Sequence, residues 1–162
     1  MRPLLLASAL IAGLCGSLVA SPVPVPYFAF CRTLWLFGLP CADVGSKLVQ
    51  QIRAFNPMNG CEKCHYILIS AINDTIEAQH STLGNLKVEN IEFDLQTTIL
   101  TGSCRVTAQS SSLAFSSHLD SDLNYCNLYD LLTASGLNLA PGFMEMTSEW
   151  SCLGYEFATC NT

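Results

Sequence analysis

Apolar residues change their spacing several times along this chain, and each change marks an element. From Tyr27 to Leu39 the large apolar side chains crowd together as Tyr27, Phe28, Phe30, Leu34, Trp35, Leu36, Phe37 and Leu39. This crowding predicts an extended segment laid over a sheet. Its rings either fill the core or offer Phe28, Phe30, Leu34, Trp35 and Phe37 as a face for an apolar ligand or a partner. Between Asp43 and Asn56 the period becomes helical: Val44, Leu48, Ile52 and Phe55 recur on one side with Val49 beside them. Asp43 is placed to cap the first turn, and Pro57 stops the helix because the residue before a proline is pushed out of helical geometry.

The period then shortens. His65 to Ile72 carries three isoleucines and Tyr66 and runs into Asn73-Asp74, which predicts a strand and a tight turn with Ile76 to Thr82 returning. Val88 to Leu95 sets Ile91, Phe93 and Leu95 against Glu92 and Asp94, the alternation of a half-buried strand. Thr101-Gly102-Ser103 turns the chain, Cys104, Val106 and Ala108 alternate back, and Ser110-Ser111-Ser112 reads as a loop. Ser121 or Asp122 then caps a helix with Tyr125, Leu128, Tyr129 and Leu132 on one face, closed by Gly136 with Leu137 beyond. The tail from Phe143 to Cys160 is expected to be tied down by Cys152 and Cys160. Together these elements predict an α+β domain in which one long helix packs on an antiparallel meander, followed by a short C-terminal helix. Over residues 43–109 the element order is similar to that of cystatin-like domains.

The ends and the cysteines change the picture. Arg2, the apolar run Leu4 to Leu14 and the small residues up to Ala20 have the layout of a secretory signal peptide cleaved after Ala20. The apolar run is shorter than the roughly 20 residues a bilayer span requires. Residues 21–162 then form a single domain, opening with the extended arm Ser21-Pro22-Val23-Pro24-Val25-Pro26. Of nine cysteines, Cys15 leaves with the leader, and Cys31, Cys41, Cys61, Cys64, Cys104, Cys126, Cys152 and Cys160 remain. An even count in an exported chain predicts four disulfides of unreadable connectivity. Without Arg2, six basic residues face thirteen acidic ones, a net charge near −7, and no basic cluster exists. Nucleic acid, heparin and anionic membranes are therefore poor partners. Asn73-Asp74-Thr75 is an N-glycosylation sequon in the predicted hairpin turn, so a glycan on Asn73 is expected.

Motifs that carry chemistry fall short on inspection. Cys61-x-x-Cys64 lacks the second ligand pair of a structural zinc site and the βαβ setting of a redox motif, so a disulfide role is expected. Saposin-like lipid proteins also open on Cys-x-x-Cys, but they need helices where Val88 to Ala108 alternates. His118 and Asp120 with a serine suggest a hydrolytic triad only on paper, because no Gly-x-Ser-x-Gly elbow is present. Asp120-x-Asp122-x-Asn124 begins like a calcium loop, yet Tyr125 stands where glycine belongs and Leu131 where the closing glutamate belongs. Protease inhibitors of the cystatin family carry Gln-x-Val-x-Gly and Pro-Trp loops, and neither hairpin turn here matches. Asp122 to Leu128, Pro141-Gly142-Phe143 with Glu145 and Thr147, and the Cys152 to Cys160 tail resemble segments of small cysteine-rich secreted vertebrate proteins. Cys61, Cys64-His65-Tyr66 and Ile76 to His80 belong to the same resemblance, which implies no activity. The expectation is a secreted, non-enzymatic extracellular binding protein without cofactor, metal site or membrane span. A carrier of a lipid or other apolar ligand is the second reading and a protease-inhibitor-like module the third.

Overall fold

The computed structural model describes residues 29–56, 65–81, 88–99, 101–112 and 121–160, without the side chains of 121–123. The expected leader and arm lie outside the described residues, as do Phe28, Cys61, Cys64 and His118. The described chain runs β1 (Phe30–Phe37), α1 (Cys41–Ala54), β2 (Tyr66–Ile72), β3 (Thr75–Ser81), β4 (Val88–Thr97), β5 (Cys104–Ser112), α2 (Ser121–Ala134) and β6 (Met144–Met146). Short 3-10 turns stand at Leu137–Leu139 and Tyr155–Phe157. The fold is α+β, with a six-stranded antiparallel sheet in the order β2-β3-β4-β5-β1-β6. No helix among the described residues is long and apolar enough to cross a membrane.

The meander is present as β2 to β5, each strand pairing with the next. It is extended by two strands. The aromatic segment does not lie over the sheet but belongs to it: β1 pairs with β5 along its whole length, and β6 adds to its far side through Leu34, Trp35 and Leu36. The serine run is likewise strand and not loop, because Ser110 and Ser111 pair with Cys31 and Phe30. One long helix beside a short one is also corrected, since α1 and α2 each span 14 residues.

α1 begins at Cys41, two residues before the expected start. Pro40 is its N-cap, and the N–H groups of Asp43 and Val44 bond the Pro40 carbonyl. Asp43 therefore does not cap; its carboxylate sits in the first turn, where the helix dipole favours negative charge. Cys41, Val44, Leu48 and Ile52 are buried at helical spacing, and α1 packs on β2, β3, β4 and β5. α2 packs beside it on β5 and β1 through Leu128, Leu131 and Leu132. From the sheet, Trp35, Phe37, Ile76, Ala78, Ile91, Phe93, Leu95, Val106 and Ala108 complete one core. Trp35 centres an aromatic group, 5.9 Å from the ring of Phe93 and 6.5 Å from Phe37.

Six of the eight expected cysteines form three bridges, Cys31–Cys152, Cys41–Cys104 and Cys126–Cys160. Three disulfides rather than four thus stand in the described structure. They fasten β1 to the tail, the start of α1 to the start of β5, and α2 to the end of the tail.

Candidate functional site

The aromatic face expected at Phe28, Phe30, Leu34, Trp35 and Phe37 divides. Successive residues of a strand point to opposite sides. Trp35 and Phe37 are buried in the core, whereas Phe30 is 48 % exposed and Leu34 half-buried on the other side of the sheet. On that outer side Leu34 stands opposite Met146 and Leu36 opposite Met144, a narrow apolar strip at the sheet edge. Trp35 and Phe37 therefore pack with Phe93 and Phe143 instead of lining a cavity.

The alternation that buries Trp35 also turns Thr33 inward, and there it meets Glu145 of β6. Thr33 Oγ1 donates to Glu145 Oε1 at 3.1 Å, Thr147 Oγ1 donates to the same oxygen at 2.8 Å, and Tyr125 Oη donates to Oε2 at 3.3 Å. A single carboxylate thus joins β1, β6 and α2. Tyr125 and Tyr129 are one helical turn apart on α2, with rings stacked at 5.7 Å and 29°. Tyr155 meets Tyr125 edge-on at 4.9 Å and 75°. The three rings, with Glu156, Ala158, Thr159 and Cys160, line a cleft of about 580 Å³ between α2 and the tail. Burial, then the Glu145 carboxylate, pushes the Tyr125 phenol well above its usual range. Tyr155 is raised by burial, then by Glu145 and Glu156.

The tail presents Tyr155 from a braced turn. Glu149 accepts the N–H of Gly154 at 2.9 Å and that of Glu156 at 2.7 Å, one carboxylate oxygen for each. Gly154 has φ +82°, a conformation that costs glycine little. Cys126–Cys160 closes the far end onto α2.

A second polar group lies where β2, β3 and β4 face α2. His80 Nδ1 is 3.0 Å from Glu89 Oε2, and Glu89 is 2 % exposed. The Tyr66 ring sits 4.6 Å from the His80 ring, and its hydroxyl donates to the Asn127 carbonyl at 3.0 Å. Burial raises the Tyr66 phenol, with Asp130 and Glu89 adding to it. Burial also raises the Asp130 carboxyl, partly offset by His80. Among the described residues His80 contacts the Glu89 carboxylate and the Tyr66 ring.

Asn73 and Asp74, with φ +50° and +65°, form the two-residue turn between β2 and β3, and both are exposed. This turn edges a groove of about 350 Å³ against Gly45 and Val49 of α1.

Of the residues that form the tyrosine cleft, Tyr125 and Tyr129 were legible as neighbours on one helical face. Glu145 and Tyr155 carried no functional signal, since only the tail's return along β1 and α2 brings them there. Comparison with family models, with curated proteins and with solved structures returns no match in any of the three.

Proposed function

We propose that this chain is a secreted, non-enzymatic extracellular binding protein that holds its ligand in the cleft between α2 and the C-terminal tail. The observation that carries this reading is the cleft itself, about 580 Å³ with three tyrosine walls. That volume lies in the range of small-molecule sites, which are typically aromatic with a few fixed polar groups. Its walls are fixed beforehand by Cys126–Cys160 and by the Glu149 contacts, so little ordering entropy opposes binding.

Three disulfides suit an oxidising compartment and so support secretion. An N-glycan on Asn73 suits an exposed turn. A lipid carrier draws less support, because Trp35 and Phe37 are committed to the core.

Native mass spectrometry of protein incubated with extracellular fluid of its host tests the proposal. The expected result is a bound small molecule on the parent that is lost in Tyr155→Ala. A bare glycoprotein mass under all conditions, or labelling by serine- or cysteine-directed activity probes, would refute it.

A further inference from the structure

The tyrosine cleft has a charge pattern that selects among ligands. Tyr155 stands nearly perpendicular to Tyr125, which stacks on Tyr129, so the three rings form a corner. Glu156 lines the same cleft, and Glu145 lies behind Tyr125, its carboxylate held by the hydroxyls of Thr33, Thr147 and Tyr125. Among the described residues that line the cleft there is no lysine or arginine, so the described wall offers these carboxylates no basic partner. Tyr125 and Tyr155 both register the negative field, since burial raises their phenols first and Glu145 raises them further.

An aromatic face attracts a cation through its ring quadrupole, and the attraction grows when the cation sheds water. Quaternary ammonium groups shed water most easily, because they carry charge without N–H donors. A neutral aromatic ligand would gain nothing from the carboxylates, and an anion would be repelled by them. A phosphocholine headgroup is disfavoured for the same reason, as its phosphate would sit beside Glu156.

We propose that the corner formed by Tyr125, Tyr129, Tyr155 and Glu156 is a recognition site for a small organic cation of the alkylammonium class. The inference rests on the binding reading of this cleft and names the chemistry it takes. The cation packs on the Tyr129 and Tyr155 rings, with Glu156 at the rim and Glu145 behind supplying the counter-charge.

The test is titration of the intact disulfide-bonded protein with choline and with 3,3-dimethylbutanol, its uncharged isostere, followed by amide chemical shifts. Choline is expected to move the resonances of Tyr155 to Cys160 saturably, and the isostere to bind at least about tenfold more weakly. Tyr155→Ala is expected to weaken choline by about tenfold or more, and Tyr155→Phe to retain it, because phenylalanine keeps the ring face. The comparison of choline with its isostere uses the parent protein, so a poorly folded variant does not blunt it. Equal binding of the two, or none up to the solubility limit, would overturn the inference. Retention on phosphatidylcholine vesicles without a response to choline would overturn it as well. A ligand of other chemistry that needs Tyr155 would sink this inference but leave the cleft as a binding site, whereas no ligand of any kind would sink both.

Discussion

Asn124 of α2 is fully buried and bridges two serines of β5, and removing it gives a worked case. Ser110 Oγ donates to Asn124 Oδ1 at 2.8 Å, and Asn124 Nδ2 donates to Ser112 Oγ at 3.2 Å. Ser110 is also fully buried and Ser112 is 5 % exposed, so water cannot replace the lost amide. Asn124→Ala leaves two orphaned hydroxyls at about 1–3 kcal/mol each, which gives about 4 kcal/mol in total. That is a large part of the 5–15 kcal/mol by which ordinary domains are stable, so the variant should unfold at a much lower urea concentration. Ser110→Ala alone should cost about 1–3 kcal/mol by stranding the amide oxygen. The decisive variant is the triple alanine at 110, 112 and 124, which strands nothing. It should be more stable than Asn124→Ala alone by about 1–3 kcal/mol, although it has lost more atoms. Urea unfolding at a common slope, with disulfides intact, measures all of these. A triple variant less stable than Asn124→Ala, or single costs that simply add, would refute the account of this bridge.

Other changes have equally definite outcomes. Burial raises the folded-state Asp130 carboxyl above its unfolded value, so its ionisation costs stability above the folded pKa and that cost fades as pH falls through it. Asp130→Asn should therefore raise the melting temperature at neutral pH, by a margin that shrinks toward about pH 3, and calorimetry across that range checks it. A Cβ on Gly38 would lie 2.8 Å from the Pro141 carbonyl oxygen, the atom its own N–H bonds, so Gly38→Ala should cost about 1–3 kcal/mol in thermal unfolding. Gly45→Ala meets the tip of Leu95 at 3.3 Å and, at ordinary contact distance, that of Ile76 at 3.9 Å, and gains up to about 1 kcal/mol of helix propensity, so the same assay should show it neutral or stabilising. Paired serines at Cys126 and Cys160 open a loop with a sequence separation of 34. They should cost roughly 3–4 kcal/mol and expose the tail around Tyr155 to chymotrypsin.

The elements legible in the sequence were those whose periodicity reports a single buried side. α1 shows Val44, Leu48 and Ile52, and β4 shows Ile91, Phe93 and Leu95, because each has one wet face. β1 hides its alternation, since Phe30, Leu34 and Leu36 on its outer side are as apolar as Trp35 and Phe37 within. Met144 and Met146 stand across from that outer side, and a three-residue strand leaves no periodic trace. The serines of β5 read as loop because hydroxyls seldom belong in a core, and the residue that accommodates them, Asn124, lies in another element. The tyrosine corner was half visible, as a helical pair, but its third wall arrives from the tail and depends on a pairing that spacing could not reveal.

The place of β1 has a consequence for when this chain can finish folding. As the first described strand to be synthesised, it pairs with β5 and β6 and is bridged to Cys152, a sequence separation of 121. The β2 to β5 hairpins need only their immediate neighbours and can zip together while synthesis continues. The N-terminal strand must wait for β5 to cover one of its edges, and for β6 and Cys152 to follow on the other side. The sheet is therefore completed long after its first strand is made, and the Cys31–Cys152 bond can form only once strand and tail have met.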